Sequence, residues 1–360
     1  GRGGSAGGTV LRGRVVLGFA AKPGGVQSPP PARPFRLIYS GAPPGPFLHS
    51  FSGALCSLAV LENAAAGCGL LTFIPDSDGV VRRIPLMAEI SNRVVPSLAA
   101  ESLRVAQGQQ NYIVRTSDKQ GNGVQEIRIG DLIAPTTSGG EIWLHYSRPV
   151  QDRFIPAWKV LAGQVPREQV EGHILLVGAS AQGLMDLRFN SLGQVTPGVD
   201  VHAQAIEQIL EGSCLRRPAW AGAIEALVIV IGGLLIALAA LGASALVSAG
   251  VTLLILVMTG GAAWFCFARF GLLLDPVTPG LALMLPFLLG SLIHHRLTER
   301  RQRWIREAFS HYVSPNRVAY LVSHPDQLEL GGKRQECSFV FTDLAGFTSL
   351  METLDPAKAV

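Results

Sequence analysis

The sequence has little charge, and one long stretch of it has none. Only 16% of its 360 residues are Asp, Glu, Lys or Arg, whereas 48% are hydrophobic, a composition too apolar for an ordinary soluble protein. No charged residue stands between Glu225 and Arg269. These shortages exclude a wholly soluble protein and indicate segments that cross a membrane.

Cysteine and aromatic patterns that would indicate other classes are also missing. The five cysteines form no Cys-x-x-Cys pair, and no histidine cluster accompanies them, which argues against a structural zinc site. Cys56 and Cys68 could form a disulfide in an oxidising compartment, but we favour buried thiols. Aromatic residues do not alternate with the basic ones, so we expect no nucleic-acid partner.

Residues 1–215 predict a globular domain of the α/β class, because strand-like and helix-like patterns alternate along them. A Pro-Asp-Ser-Asp-Gly run predicts a turn at residues 75–79. The patterns predict strands at 10–20, 70–74, 141–146 and 173–178, and helices at 96–107 and 199–211.

The apolar region predicts three transmembrane helices within residues 219–294, at 220–241, 245–267 and 272–293. Each is about 20 residues long, which is the length needed to cross a hydrocarbon core. The alternative is a pair of very apolar core helices in a large soluble protein. The uninterrupted length of the region argues against it.

Basic residues after the third predicted span set the orientation. The positive-inside bias makes this side cytoplasmic and residues 1–215 extracytoplasmic, although Arg216 and Arg217 stand on the opposite side. We therefore expect a multi-pass protein of the cell (inner) membrane, embedded in the lipid bilayer. Within the linker 295–332, residues 296–309 predict a signalling helix that continues the third span. The basic cluster comprises Arg296, Arg300, Arg301, Arg303 and Arg306.

Residues 336–342 predict a strand, and Asp343 stands at its end, before a turn and a helix predicted at 348–354. A carboxylate in this position can bind Mg²⁺ together with phosphate oxygens. Gly346 allows the backbone to approach a phosphate closely, and amides at a helix start can donate to it. The residues alone leave open that Asp343 merely caps the turn.

The run FTDLAGFTSLME, together with the residues from Phe309 onward, resembles the opening of class III adenylate and guanylate cyclase domains. The resemblance implies that residues 333–360 begin an α+β, ferredoxin-like catalytic domain. It implies that Asp343 is the first of two metal-binding aspartates and that Leu344, where the family mostly has Ile, supplies a backbone carbonyl to the metal. It also implies a cradle for the triphosphate, formed by Ala345, Gly346, Phe347 and Thr348.

The same resemblance implies a reaction and its requirements. The ribose 3′-hydroxyl of ATP attacks the α-phosphate and releases pyrophosphate, with two Mg²⁺ or Mn²⁺ ions bound, at a site formed in a homodimer. We expect the second aspartate and the catalytic residues to lie beyond Val360, so these 360 residues alone are expected to be inactive.

Residues 173–210 (HILLVGASAQGLMDLRFNSLGQVTPGVDVHAQAIEQIL) resemble the C-terminal half of the second type of CHASE sensor domain. Residues 74–86 and 96–99 fit the middle of that domain. The resemblance implies an extracytoplasmic sensor for a ligand that the sequence does not identify, followed by three spans. The N-terminal part departs more, and we expect it to be incomplete.

Several polar residues of this domain invite functional hypotheses. Asp76 and Asp78 could bind a cation, although a turn is the interpretation we favour. The group of Asp186, Asp200 and His202 either lines a ligand pocket or satisfies loop backbone groups. Ser180 lacks the glycine two places later that a hydrolase nucleophile turn requires.

The leading hypothesis is therefore a transmembrane receptor adenylate cyclase that makes cyclic AMP in response to an extracytoplasmic signal. A first alternative is a sensor receptor with another output, guanylate cyclase or protein kinase; the region around Asp343 shows neither a kinase Gly-rich loop nor a phosphoacceptor-histidine helix. A second alternative is a non-enzymatic membrane protein, which should carry polar residues within its spans.

Overall fold

The structure is a computed structural model that describes residues 14–22, 35–117, 123–147, 153–180, 186–310, 336, 338–343 and 345–346. The chain forms two compact units, the first ending at Ser291 and the second beginning at Leu292. Within the described residues, the strands are β1 Val16–Lys22, β2 Arg36–Ser40, β3 Ser50–Phe51, β4 Gly53–Leu55, β5 Gly67–Leu70, β6 Arg83–Pro85, β7 Met87–Ile90, β8 Arg93–Pro96, β9 Asn111–Thr116, β10 Val124–Ile129, β11 Leu132–Pro135, β12 Glu141–Trp143, β13 Leu187–Phe189 and β14 Val195–Pro197. The helices are α1 Ala59–Ala64, α2 Leu98–Ala106, α3 Ala157–Leu161, α4 Gly198–Glu211, α5 Ala221–Gly242, α6 Ala245–Phe270 and α7 Val277–Ser310.

The N-terminal domain combines small sheets with two amphipathic helices, α2 and α4. Its four-stranded sheet has the order β11-β10-β9-β2, in which β2 runs parallel to β9 and the other neighbours are antiparallel. Three-stranded sheets have the orders β4-β1-β5 and β3-β7-β8, and β12-β6 and β13-β14 form pairs. The prediction of a mixed α and β domain is thus confirmed.

Helix α2 forms because a capping serine precedes a run with an apolar face. The Ser97 hydroxyl accepts a hydrogen bond from the Ala100 amide at 3.2 Å, and this satisfies one of the donors that a helix N-terminus leaves open. Ala99 and Leu103 are then buried in the main core. The prediction of a helix at 96–107 is confirmed, although Pro96 closes β8 instead of opening the helix.

The strand predicted at 70–74 lies three to four residues earlier, as β5. The reason is the close approach of α2: a Cβ at Gly69 would lie 2.5 Å from the Leu98 Cα, so this stretch of strand must be glycine. Hydropathy ranks Gly67 and Gly69 low, and the pattern therefore pointed to the apolar residues that follow.

The strand predicted at 173–178 is wrong. The structure gives these described residues no strand, and Leu175 and Val177 are exposed, Val177 to 96%. A short apolar run becomes a strand only when a neighbouring strand offers hydrogen bonds, and no described strand pairs with it.

The helix predicted at 199–211 is confirmed as α4. Val201 and Ala205 are fully buried, and they recur at the spacing of one helix face. The strand predicted at 141–146 is confirmed in its first half, as β12. Residues 10–20 are described only from 14 onward, and there β1 begins.

Helices α5, α6 and α7 are each long and apolar enough, by length and composition, to cross a membrane. The first two match the predicted spans to within three residues at either end. The third begins at Val277, five residues later than predicted, because Leu272 pairs with Arg216 before the helix starts. The signalling helix predicted at 296–309 is confirmed as a continuation of α7, which runs unbroken to Ser310.

Small residues allow these helices to approach each other closely. A Cβ at Gly290 of α7 would lie 2.5 Å from the Ala240 Cβ of α5, and one at Gly232 would lie 2.9 Å from the Leu283 side chain. Such contacts between small residues hold helices together in lipid, where burial of apolar surface contributes little.

Candidate functional site

The predicted metal and phosphate site falls partly within the described residues. Asp343 is exposed, and residues 345 and 346 form a turn in which Gly346 has φ +82°, a conformation that favours glycine. This fits the predicted glycine turn. Leu344, Phe347, Thr348 and the helix predicted at 348–354 lie outside the described residues.

The strand predicted before Asp343 does not appear. Described residues 336 and 338–342 have no strand conformation, and Phe339, Val340 and Phe341 are 80–93% exposed. A strand needs a partner to satisfy its backbone groups, and no described strand pairs with these residues.

The described part of the chain does not complete a metal site around Asp343. It holds no group of three or more His, Cys, Asp or Glu side chains that could bind a metal ion. One exposed carboxylate is a suitable oxygen ligand for Mg²⁺, but the ion requires further ligands. The metal site therefore stays a prediction.

The turn at residues 75–79 carries an ion-pair network. Arg82 binds the Asp76 carboxylate at 2.9 Å and the Asp78 carboxylate at 2.7 Å, and Arg83 binds Asp76 at 2.6 Å. Hydrogen bonds from Arg82 lower the pKa of Asp78 to about 2. The Gly79 amide donates to the Asp76 carbonyl at 2.9 Å. The turn interpretation is thus confirmed, and arginines occupy both carboxylates.

The same network reaches the interior through Glu141 of β12, whose side chain is only 3% exposed. Its carboxylate accepts a hydrogen bond from Arg83 at 2.9 Å and lies 3.0 Å from His49 Nε2. Arg83 also lies over the ring of Trp143, 5.2 Å from its centre. A buried carboxylate requires such partners. Sequence reasoning did not single out Glu141.

A second buried network joins α2 to β9. Glu101 is fully buried and binds Arg104 through two bonds of 2.8 and 2.6 Å, and the Tyr112 hydroxyl donates to it at 2.6 Å. Burial, and then the Glu101 charge, raise the pKa of Tyr112 well above its usual value. The sequence carried one signal for this pair: a charged Glu and Arg three residues apart on the apolar face of a helix.

The three polar residues proposed for a pocket have separate partners. Asp200 accepts a hydrogen bond from Gln204 at 2.9 Å, and Asp186 lies 3.6 Å from Arg188. His202 is 1% exposed, with its ring centre 4.8 Å from that of Phe73 and its Nε2 3.4 Å from a backbone carbonyl. Burial lowers the pKa of His202 to about 4. These partners are those of the second alternative, in which the side chains serve the fold.

The cysteines occupy different environments. Cys56 is exposed, and Cys68 is buried in β5. Cys214 is buried as well, and burial raises the pKa of its thiol to about 11. The expectation of buried thiols is met at two of these positions and not at Cys56.

A family model of the CHASE2 domain matches residues 10–240 of the chain. The chain belongs to the CHASE2 family. The match covers the N-terminal domain and nearly all of α5, and it confirms the resemblance seen in residues 173–210. No curated protein and no solved structure matches the chain.

The CHASE2 domain and the three apolar helices together describe a transmembrane sensor receptor. A sensor domain of this kind implies an extracytoplasmic ligand and a membrane setting. The multi-pass arrangement with an extracellular sensor fits the three helices. The polar networks described above hold the sensor domain together, and none of them forms a metal cluster among the described residues.

Proposed function

We propose that this CHASE2 receptor controls an adenylate cyclase of class III, which converts ATP to cyclic AMP and pyrophosphate. The proposal rests on one feature: Asp343, followed by a turn in which Gly346 adopts φ +82°, within the run FTDLAGFT that resembles the start of such cyclases. An exposed carboxylate beside a glycine turn suits a divalent ion that carries nucleotide phosphates.

In the proposed site, Asp343 and the Leu344 carbonyl hold the metal, and residues 345–348 hold the triphosphate. Two bound Mg²⁺ or Mn²⁺ ions would supply charge that favours attack of the 3′-hydroxyl on the α-phosphate. The chain's own contribution is to orient the phosphates through backbone amides, since a glycine turn before a helix directs N–H groups at an anion. The second aspartate and the homodimer belong to the same proposal.

The test is an assay of the complete polypeptide in membranes with Mg²⁺ or Mn²⁺. We expect cyclic AMP and pyrophosphate from ATP, and we expect Asp343→Ala to lower the rate at least 100-fold, because a metal ligand is lost. Glu329→Ala removes a nearby carboxylate that has no role in the proposal and should leave the rate within twofold.

Other outcomes identify the alternatives. Turnover of GTP in place of ATP would identify a guanylate cyclase, and transfer of the γ-phosphate to protein without pyrophosphate release would identify a kinase. An Asp343→Ala variant as fast as the parent would contradict the proposed site. The sensor assignment does not depend on any of these results, because it comes from residues 10–240.

A further inference from the structure

A four-residue segment connects the sensor domain to the first membrane helix. We name residues 214–217 the strap; it follows α4 and precedes α5. Leu215 forms an antiparallel bridge with Trp143 at the end of β12. The next residue, Arg216, forms a parallel bridge with Leu272, which lies between α6 and α7. The strap is therefore bonded to the domain on one side and to the α6–α7 connection on the other.

Backbone hydrogen bonds secure the membrane side of the strap. The Arg216 amide donates to the Gly271 carbonyl at 2.9 Å, and the Leu273 amide donates to the Arg216 carbonyl at 2.8 Å. Two such bonds fix the register of the connection against the strap. The α6–α7 connection cannot shift along the strap without breaking them.

The side chain of Arg217 adds a second attachment. It binds the Glu225 carboxylate of α5 at 2.8 Å and the Leu273 carbonyl at 3.2 Å. The other Glu225 oxygen accepts a hydrogen bond from the Asp275 amide at 2.8 Å. Glu225 thus holds the strap and the α6–α7 connection at once, and its side chain is only 16% exposed.

Asp275 in turn begins α7. Its carboxylate accepts hydrogen bonds from the amides of Val277 at 2.8 Å and Thr278 at 3.3 Å, as an N-capping side chain does. Hydrogen bonding, first from the Thr278 hydroxyl, lowers the pKa of Asp275, so it caps as a carboxylate at neutral pH. The residue that Glu225 positions is therefore the one that fixes the first turn of α7.

On the domain side, Gln208 of α4 ties the helix to the end of β12. Its side chain donates to the Trp143 carbonyl at 2.7 Å and accepts from the His145 amide at 3.0 Å. The same tryptophan holds Leu215 of the strap. A displacement of α4 against β12 therefore acts directly on the strap.

We propose that the strap transmits displacements of α4 and β12 to the first turn of α7, with Arg217 and Glu225 as positioning residues. The inference rests on the sensor role of the domain and is independent of cyclase chemistry. It also accounts for Arg217 on the extracytoplasmic side, where the positive-inside bias does not expect it: its charge is used by Glu225. Since α7 continues to Ser310, a change in its first turn acts on the helix that leaves the membrane.

The test uses the whole chain in lipid nanodiscs, with hydrogen exchange read by mass spectrometry at residues 275–280. We expect Glu225→Leu and Arg217→Gln each to speed exchange there at least tenfold. The double variant should add less than twofold to either single change, because the two residues act as one unit. Arg216→Gln is the matched control: it removes the neighbouring charge but keeps both backbone bonds, and it should change exchange less than twofold.

Transmission is tested by a change inside the domain. We expect Gln208→Leu, which cuts α4 from β12, to speed exchange at 275–280 at least fivefold in the parent and in Arg216→Gln. In Glu225→Leu it should add less than twofold, at labelling times when less than half of the amides have exchanged. A merely structural Glu225 would leave the Gln208→Leu effect unchanged.

Two results would overturn the proposal: no effect of Gln208→Leu on residues 275–280 in the parent, or an equal effect in Glu225→Leu. Exchange in β9 and β10 reports whether the domain is folded. Where it rises with Gln208→Leu, Gln208→Glu replaces it, because this variant keeps the acceptor for His145 and removes only the donor to Trp143. The same two criteria then apply. Failure of the cyclase assay would leave this outcome untouched.

Discussion

The sensor domain and the membrane helices of this chain arrange their side chains in opposite ways. In the domain, Ile84, Leu86 and Ile127 are fully buried. In the helices, leucines such as Leu234 are about 60% exposed, whereas Ala240 is buried at 3%. The hydrophobic effect drives apolar groups away from water only, and in lipid the helices pack through small residues instead.

Charge separates the two regions as well. The domain buries Glu101 and Arg104 together, each satisfied by the other. The stretch between Glu225 and Arg269 contains no charged residue, because an unpaired charge in hydrocarbon is costly. The comparison indicates that polar networks hold the domain and that the helices rely on shape.

The strongest test of this comparison removes a buried charge. Glu101→Leu leaves the Arg104 guanidinium, 7% exposed, without its carboxylate, and we expect a loss of about 3–5 kcal/mol in the free energy of unfolding. The measurement is a urea titration of the chain in nanodiscs, followed by labelling of the buried Cys214 thiol. The same change at Glu126, whose exposed pair with Arg115 spans 3.6 Å, should cost less than about 1 kcal/mol. Equal losses would contradict the view that burial decides.

A second test places one substitution in both regions. Leu103→Ala removes a side chain that is 1% exposed in the domain, and we expect a loss of about 2–5 kcal/mol. Leu288→Ala removes one that is 59% exposed on α7, where lipid replaces the lost contacts, and we expect a change within about 0.5 kcal/mol. Thermal denaturation in mild detergent, followed by circular dichroism, compares them. A large loss at Leu288 would show that this face of α7 is covered by protein.

The smallest expected effect concerns pH and is confined to the domain. Burial lowers the pKa of His202 to about 4 from its ordinary 6.5, so the unfolded chain binds the proton more readily. Stability is then full above about pH 6.5 and falls as the pH drops toward 4. Between pH 7.5 and pH 5 we expect His202 to account for a loss of about 2 kcal/mol.

His202→Gln isolates this contribution, because glutamine does not titrate. The urea titration, repeated at the two pH values, should show a smaller pH dependence in the variant than in the parent. An unchanged pH dependence would mean that His202 keeps an ordinary pKa in the folded chain.

Sequence reasoning located best the features that depend on local composition. The spans were predicted because about 20 apolar residues in a row need no information about partners, and α2 and α4 followed from helical periodicity with a cap or a proline–glycine start. The third span was set five residues early, because nothing local shows that Leu272 pairs with Arg216 before α7 begins.

Strands were predicted less well, for a physical reason. The runs at 173–178 and 336–342 have strand composition, but a strand exists through hydrogen bonds to a neighbour that may be far away in sequence. At β5 the glycines that α2 requires concealed the strand from hydropathy. Of the candidate site, the sequence predicted Asp343 and the Gly346 turn, and it missed Glu141, Glu101 and the strap, whose meaning depends on residues 8 to 70 positions away.

The amino-acid sequence by itself determined the membrane helices, the helical faces of the domain and the membership in the CHASE2 family, because hydrophobic length, periodicity and motif are properties of neighbouring residues. Only the tertiary structure decided which charges are buried together and how the strap joins β12 to α7. These contacts arise when the chain folds back on itself, and their energies depend on burial and geometry that no local pattern contains.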